Sequence, residues 1–219
     1  MATTAEVRRC TRLRGEPMRG RAAPECDSMS GTTNEGKEFM HYLSHYESSL
    51  GAMTMASDGK HLTGLWFDGQ KYDRSTISDD APLQPHLPIF TQTAQWLDAY
   101  FKGTAPGFTP PIRVEGSDFK KMVTSIMLSI PFGATSTYAY IAAEVARRTG
   151  RKQMSAQAVG GAVGRNPIVL IVPCHRVVAS DGSLRGYAGG VDRKERLLQM
   201  EGVNMSGLPT ADDGDETRE

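Results

Sequence analysis

Between residues 117 and 164 the chain commits itself to three short helices in close succession, which leaves few ways to fold this stretch. Ser117, Thr137 and Ser155 each stand just before a segment of helical character. A hydroxyl there can accept from a backbone N–H that the first helical turn leaves unpaired. The first segment, to about Ser129, carries Phe119, Met122, Val123, Ile126 and Met127 on one face, and Ile130-Pro131-Phe132-Gly133 breaks it. The second, to about Arg148, turns Tyr138, Ile141, Ala142 and Val145 inward. After the turn Thr149-Gly150-Arg151-Lys152, the third spans residues 156–164 and is built almost wholly of small residues. Two helices joined by a short glycine-containing turn form a helix-turn-helix pattern.

The apolar run Ile168-Val169-Leu170-Ile171-Val172 then reads as a buried segment, and it delivers the chain to Pro173-Cys174-His175-Arg176. Val177-Val178, the Asp181-Gly182 turn and residues 186–190 suggest a hairpin-like unit, followed by a last helix over about 191–201 with Val191, Leu197 and Leu198. In the first half, residues 51–68 have strand character, broken by Ser57-Asp58-Gly59 and closed by Asp68-Gly69. Residues 73–88 read as a loop, 91–102 as a helix ended by Gly103, and 112–114 as a short strand. The expected organisation is a disordered extension at 1–38, a small α/β domain at 39–115, a C-terminal domain at 116–207 and an acidic disordered tail at 208–219. Met40 opens the first ordered-looking segment and is an alternative start of translation.

No apolar run approaches the length of a membrane span, and the N-terminus lacks the apolar core of a secretory signal, so a cytoplasmic protein is expected. Three cysteines without regular spacing do not make a disulfide framework; they suit a reducing compartment. The net charge of zero conceals a polarity: residues 117–207 carry 12 basic against 6 acidic side chains, whereas 208–219 carry 1 against 5. A basic C-terminal segment is compatible with phosphate contacts.

A thiol becomes a strong nucleophile only as thiolate, so it needs a base or a cation beside it. Cys174 is followed directly by His175, and side chains i and i+1 of an extended segment point opposite ways, which leaves room for a water between them. His175 in turn needs an orienting carboxylate, for which Glu195 on the last helix is the candidate.

The stretch 158–167, the core Ile171-Val172-Pro173-Cys174-His175-Arg176-Val177-Val178, and the continuation through Gly186-Tyr187-Ala188-Gly189-Gly190 to Lys194-Glu195-Arg196-Leu197-Leu198 resemble the signature of the O6-alkylguanine-DNA alkyltransferases. The resemblance covers roughly 117–203, more weakly 40–116. It implies an α+β fold: a small ribonuclease-H-like N-terminal domain and an α-rich, winged-helix-like C-terminal domain. It implies direct reversal of DNA damage, with the alkyl group of O6-methylguanine, and of O4-methylthymine, moved irreversibly onto Cys174. The protein would be a monomer acting on double-stranded DNA through the minor groove, with no cofactor. Residue by residue, it implies that His175 deprotonates Cys174 through a water, Glu195 orients His175, and Tyr138 helps rotate the nucleotide and donates to guanine N3. Asn166 would tie the helix-turn-helix to the active-site turn. Tyr187 and Ala188 would wall the pocket, the Ala188 N–H lying near O6. The carbonyls of Cys174 and Val177 would accept from the exocyclic amine. Ala156, Gln157, Ala158, Gly160 and Arg165 would face the DNA, and Arg176, in the same motif, is expected to be structural. A flipped base is required, because O6 of a stacked guanine cannot meet a buried thiol.

The chain departs from the family's pattern in places. Gln157 stands where an intercalating arginine is usual, and residues 139–156 form a longer segment, in which Arg147, Arg148, Arg151 or Lys152 could restore the charge. Thr124 replaces a tryptophan, and Arg196 an aromatic residue. Some members bind zinc through N-terminal Cys and His residues, but the spacing of Cys10, Cys26, His41 and His45 fits no closed tetrahedral site, so no metal is expected. Three rival readings are a non-catalytic alkyltransferase-like lesion binder, a cysteine hydrolase and a transcription regulator. The first is disfavoured by Cys174, and the last by how few groups the third helix offers for base readout.

Overall fold

The computed structural model describes residues 40–78 and 80–204. The expected extension at 1–38, with Cys10 and Cys26, and the tail at 208–219 lie outside the described residues. Three strands, β1 (Tyr42–Ser48), β2 (Gly51–Ser57) and β3 (Leu62–Phe67), pair antiparallel in sequence order. The first turn is tight enough that Ser48 pairs with Gly51, whose φ of 117° suits glycine alone. Met53, Met55, Leu65 and Phe67 enter the main core with Phe90, Leu97 and Tyr100 of helix α1 (Pro88–Phe101). Leu43, Ala56 and Trp66 form a smaller cluster.

Strand β1 was not anticipated. Its polar composition gives no apolar alternation, and only Leu43 and Ser44 are buried. Helix α1 begins three residues before the expected position because Pro88 fits the first turn, where no N–H is required. The strand expected at 112–114 is a single bridge, with Leu62 N–H donating to Pro111 O and Arg113 N–H to Leu62 O.

The second half holds helices α2 (Asp118–Leu128), α3 (Tyr138–Thr149), α4 (Ala156–Gly164) and α5 (Val191–Met200). Ser117, Thr137 and Ser155 cap the first three as expected, accepting from the N–H groups of Lys120, Tyr140 and Ala158. Helix α2 packs against α3 and α4, and α3 against α4. Helix α4 buries only Val159 and Val163, so most of its surface is turned outward. No hairpin forms over 177–190. Instead β4 (Ser136–Thr137) pairs parallel with β5 (Val177–Val178). The returning chain is held by side chains: the Arg185 carbonyl accepts from both Tyr138 and Lys194.

The apolar run 168–172 is buried, but it coils, with Leu170 at φ 67° and Val172 N–H donating to Ile168 O. Its beginning docks on the sheet. Leu65 N–H donates to Pro167 O at 2.8 Å, and Val169 N–H to Leu65 O at 3.0 Å. One apolar core thus runs from the sheet to the helices, and the described residues form a single unit. Among them, no helix is long and apolar enough to cross a membrane.

In β3 the indole of Trp66 folds over Gly64, where a Cβ would lie 1.8 Å from the ring. Gly64→Ala must therefore displace a buried indole. It is expected to lower stability by about 1–3 kcal/mol in urea unfolding, and an unchanged midpoint would show that the ring moves without cost.

Candidate active site

Cys174 opens a single 3-10 turn, Cys174–Arg176, so the extended geometry expected around it does not occur. The thiol is 5% exposed. Asn166 holds it: the amide Nδ2 lies 3.1 Å from Sγ, 2.8 Å from Val172 O and 3.1 Å from Ile168 O, while Oδ1 accepts from Ile168 N–H. Asn166 thereby staples the end of the helix-turn-helix to both limbs of the coil that presents the cysteine. Burial pushes the Cys174 thiol up, against the pull of the Asn166 amide and the Lys194 ammonium, so the resting group is a thiol.

The carboxylate that faces His175 belongs to Glu201, not Glu195. His175 Nε2 is 2.7 Å from Glu201 Oε1, and both side chains are fully buried. Glu195 lies at the partly exposed side of α5 and accepts from Gln199 Nε2. Helical period explains the correction: Lys194, Leu197, Leu198 and Glu201 fall at i, i+3, i+4 and i+7 and face inward, whereas Glu195 is turned about 100° away. Glu201 also accepts from Tyr100 Oη at 2.7 Å, from Arg176 Nε and Nη2 at 2.8 and 3.0 Å, and from Gly133 N–H at 3.1 Å. Burial alone would raise its carboxyl, but the hydrogen bonds from His175 and Arg176, and the Arg176 charge, bring it down to about 2. An anionic Glu201 requires Nε2 of His175 to carry the proton, which leaves Nδ1 as the basic nitrogen. Nδ1 is buried and has no partner among the described residues. Burial also pushes His175 down, against the attraction of Glu201, so the imidazole is neutral and able to take a proton.

Arg176 is a structural residue here: besides Glu201 it binds Ile130 O and is 8% exposed. Tyr100 and Lys194 were both missed. Tyr100 reaches the site from α1. Lys194 is fully buried and donates to Val177 O at 2.5 Å and Arg185 O at 3.1 Å. Burial lowers it to about 8, against the opposing influence of Cys174.

Around the thiol stand Tyr138, at the first turn of α3, and Tyr187. The Tyr138 hydroxyl donates to Arg185 O, and a Cβ on Gly186 would approach it to 3.2 Å. Burial and the neighbouring Cys174 push Tyr138 up to about 12, so it remains a donor at neutral pH. The Tyr187 hydroxyl is buried without a partner among the described residues. A cavity of about 300 Å³ opens beside Tyr187 and Ala188, with Gly160 and Arg165 on its other side. Ala156, Gln157 and Ala158 are exposed on α4. Of the cations that could stand in for the absent arginine, Arg147 and Arg148 are paired with Glu144 at 2.7 Å, whereas Arg151 and Lys152 are exposed and line a groove beside the start of α4.

Glu201→Gln leaves the Arg176 guanidinium buried without its counter-charge and is expected to cost about 3–5 kcal/mol of stability, against less than about 0.5 kcal/mol for Glu195→Gln. The sign with pH follows from the lowered carboxyl. Its contribution is complete above the ordinary value of 4.5 and is lost as pH falls toward about 2. Urea titrations from pH 6 to 2 should show this acid loss in the native chain and in Glu195→Gln, and a flatter acid limb in Glu201→Gln.

Comparison with known proteins adds to this geometry. The 6-O-methylguanine DNA methyltransferase profiles match in two parts, the ribonuclease-like domain over residues 41–114 and the DNA-binding domain over 118–203. The methylated-DNA--protein-cysteine methyltransferase of Methanosarcina barkeri is 39% identical over 165 residues, covering 75% of this chain and 99% of its own length. That of Mycobacterium bovis is 37% identical, covering 74% and 92%. The crystal structure of Mycobacterium tuberculosis OGT in complex with DNA superposes with a TM-score of 0.63 at 36% identity, covering 73% of this chain and 92% of that one. The fold, α+β with a small ribonuclease-like sheet domain and a helical DNA-binding domain, agrees throughout, and the chain belongs to the 6-O-methylguanine DNA methyltransferase family.

Proposed function

We propose that this protein reverses alkylation damage in double-stranded DNA, taking the alkyl group of O6-methylguanine, and of O4-methylthymine, onto Cys174. The observation that carries the reading is a buried thiol, fixed by Asn166, next to a histidine with one nitrogen committed to an anionic glutamate and the other unpaired among the described residues. The curated relatives are named for this chemistry, and a structural neighbour was solved with DNA.

The exposed, nearly bare face of α4 lies in the minor groove, where Ala156, Ala158 and Gly160 allow the backbone close to sugar and phosphate. Gln157 fills the space left by the extruded base. The base enters beside Tyr187 and Ala188, and the Ala188 N–H meets O6. The carbonyls of Cys174 and Val177 accept from the exocyclic amine, each keeping a lone pair beside its bond to Val177 N–H or Lys194. The Tyr138 hydroxyl leaves the Arg185 carbonyl and donates to guanine N3. His175 Nδ1 takes the thiol proton through a water as sulfur attacks the alkyl carbon. The S–C bond forms as the C–O6 bond breaks, and the electron pair passes into the guanine ring, which finally receives the proton. The thioether is stable, so each molecule acts once, as a monomer. In this division of labour residues 39–115 support the site and 116–207 bind DNA and carry the reaction.

Excess duplex carrying labelled O6-methylguanine should deliver label until it reaches about one methyl per protein, on Cys174 by peptide mass, and none in Cys174→Ser. Tight lesion binding without transfer would replace this reading with a damage sensor. The transfer rate should fall as acid protonates His175, with a midpoint below the ordinary imidazole value of 6.5 because burial lowers it.

Tyr100 acts through Glu201. Tyr100→Phe keeps the stacking on Trp96 but removes a donor from the carboxylate, which then pulls harder on the His175 N–H. The acid limb of the rate profile should move to higher pH, alongside a stability loss of about 1–3 kcal/mol from the missing buried hydrogen bond; a purely structural tyrosine would cost the stability and leave the limb in place.

A further inference from the structure

We infer that the β3–α1 loop of the N-terminal half is part of the DNA-binding face, holding a backbone phosphate of the damaged strand between Lys71 and Arg165 across the ring of Tyr72. The inference rests on the function proposed above and adds a contact outside the helix-turn-helix.

The loop is strained in place. Tyr72 and Arg74 have φ of 65° and 49°, in the left-handed region that bulky side chains avoid. Such a conformation costs of the order of 1–3 kcal/mol and persists only where its surroundings impose it. Here they do. The buried Gln70 side chain accepts from Phe67 N–H at 3.0 Å, Asp73 accepts from Gly69 N–H at 3.1 Å, and Lys71 N–H donates to Ala188 O at 3.1 Å. The last bond ties the loop to the segment that walls the base pocket.

The strain places two cations over one ring. Lys71 Nζ lies 5.2 Å and Arg165 Cζ 5.5 Å from the Tyr72 ring centroid. Among the described residues neither forms an ion pair, unlike Arg74, which has Asp73 at 3.7 Å. Both border the 300 Å³ cavity beside Ala188, and the facing wall at Gly160, Gly161 and Gly164 is backbone without side chains. Two like charges converging on an open cavity disfavour each other and favour an anion between them. A nucleotide entering beside Ala188 carries its own phosphates past this point, and glycine backbone lets them come close. Arg165 comes from the end of α4, so the clamp closes between the two halves of the chain.

The test uses the full chain, comparing Lys71→Gln with Lys60→Gln as a control at another exposed lysine. Alkyl transfer is followed from duplex O6-methylguanine and from free O6-benzylguanine, which has no phosphate, and duplex binding is measured across salt concentrations. A phosphate contact predicts that Lys71→Gln slows transfer from the duplex but not from the free base, and lowers the slope of log affinity against log salt by about 0.9. An unchanged slope and duplex rate would overturn the inference, as would equal slowing with both substrates, which would make Lys71 part of the base pocket. If the native chain alkylates itself from neither substrate, the proposed function falls, and the salt slope of duplex binding still decides whether Lys71 meets a phosphate.

Discussion

The buried carboxylate of Glu201 is the interaction on which the site depends. A charge in the interior is tolerable only when paired and fully hydrogen-bonded, and Glu201 receives donors from four residues in three separate places: α1 through Tyr100, the 130–133 break through Gly133, and the cysteine-bearing turn through His175 and Arg176, while it sits itself at the end of α5. The buried His175 and Arg176 would lose their counter-charge if the acid were moved. The same contacts that make the charge tolerable also fix the tautomer of His175, so folding and the readiness of the base are a single condition.

The nucleophile is prepared in the opposite sense. Catalytic cysteines that turn over repeatedly sit in exposed, electropositive surroundings that hold them as thiolates. Cys174 is buried, its thiol raised, with a histidine kept neutral beside it. Such a thiol stays protonated at rest, and in the proposed reaction it gives up its proton as the electrophile arrives. That suits a group that can be used once, and it places the burden of selectivity on the pocket rather than on the sulfur.

The three helices of the second half could be read from their caps and breakers, because Ser117, Thr137, Ser155 and Gly150 act on the backbone next to them. The cysteine, the histidine and the asparagine were legible as a motif. The acid was not: the motif carries Glu195, and choosing between it and Glu201 required the phase of α5, in which Leu197 and Leu198 mark the buried side. With those two as reference, the sequence does contain the answer, and it places Lys194 inside as well. Tyr100 was invisible for a different reason. It belongs to another element, 75 residues from His175, and its periodicity announces burial without saying what its hydroxyl meets. Strand β1 and the β4–β5 pair were lost because both are specified by their partners and scarcely by their own composition.

These contacts also explain why the ribonuclease-like half accompanies a DNA-binding half that carries the cysteine. Leu65 of β3 pairs with Pro167 and Val169 at the start of the coil that Asn166 staples, so the sheet edge helps set where the thiol stands. Tyr100 completes the shell of Glu201, and Lys71 fixes the carbonyl of Ala188 at the mouth of the base pocket. The sheet, the helix and the loop of the first half therefore each end on a different part of the site: nucleophile, base and entrance. A helix-turn-helix half standing alone would keep every residue of the motif and lose the contacts that hold those residues in register.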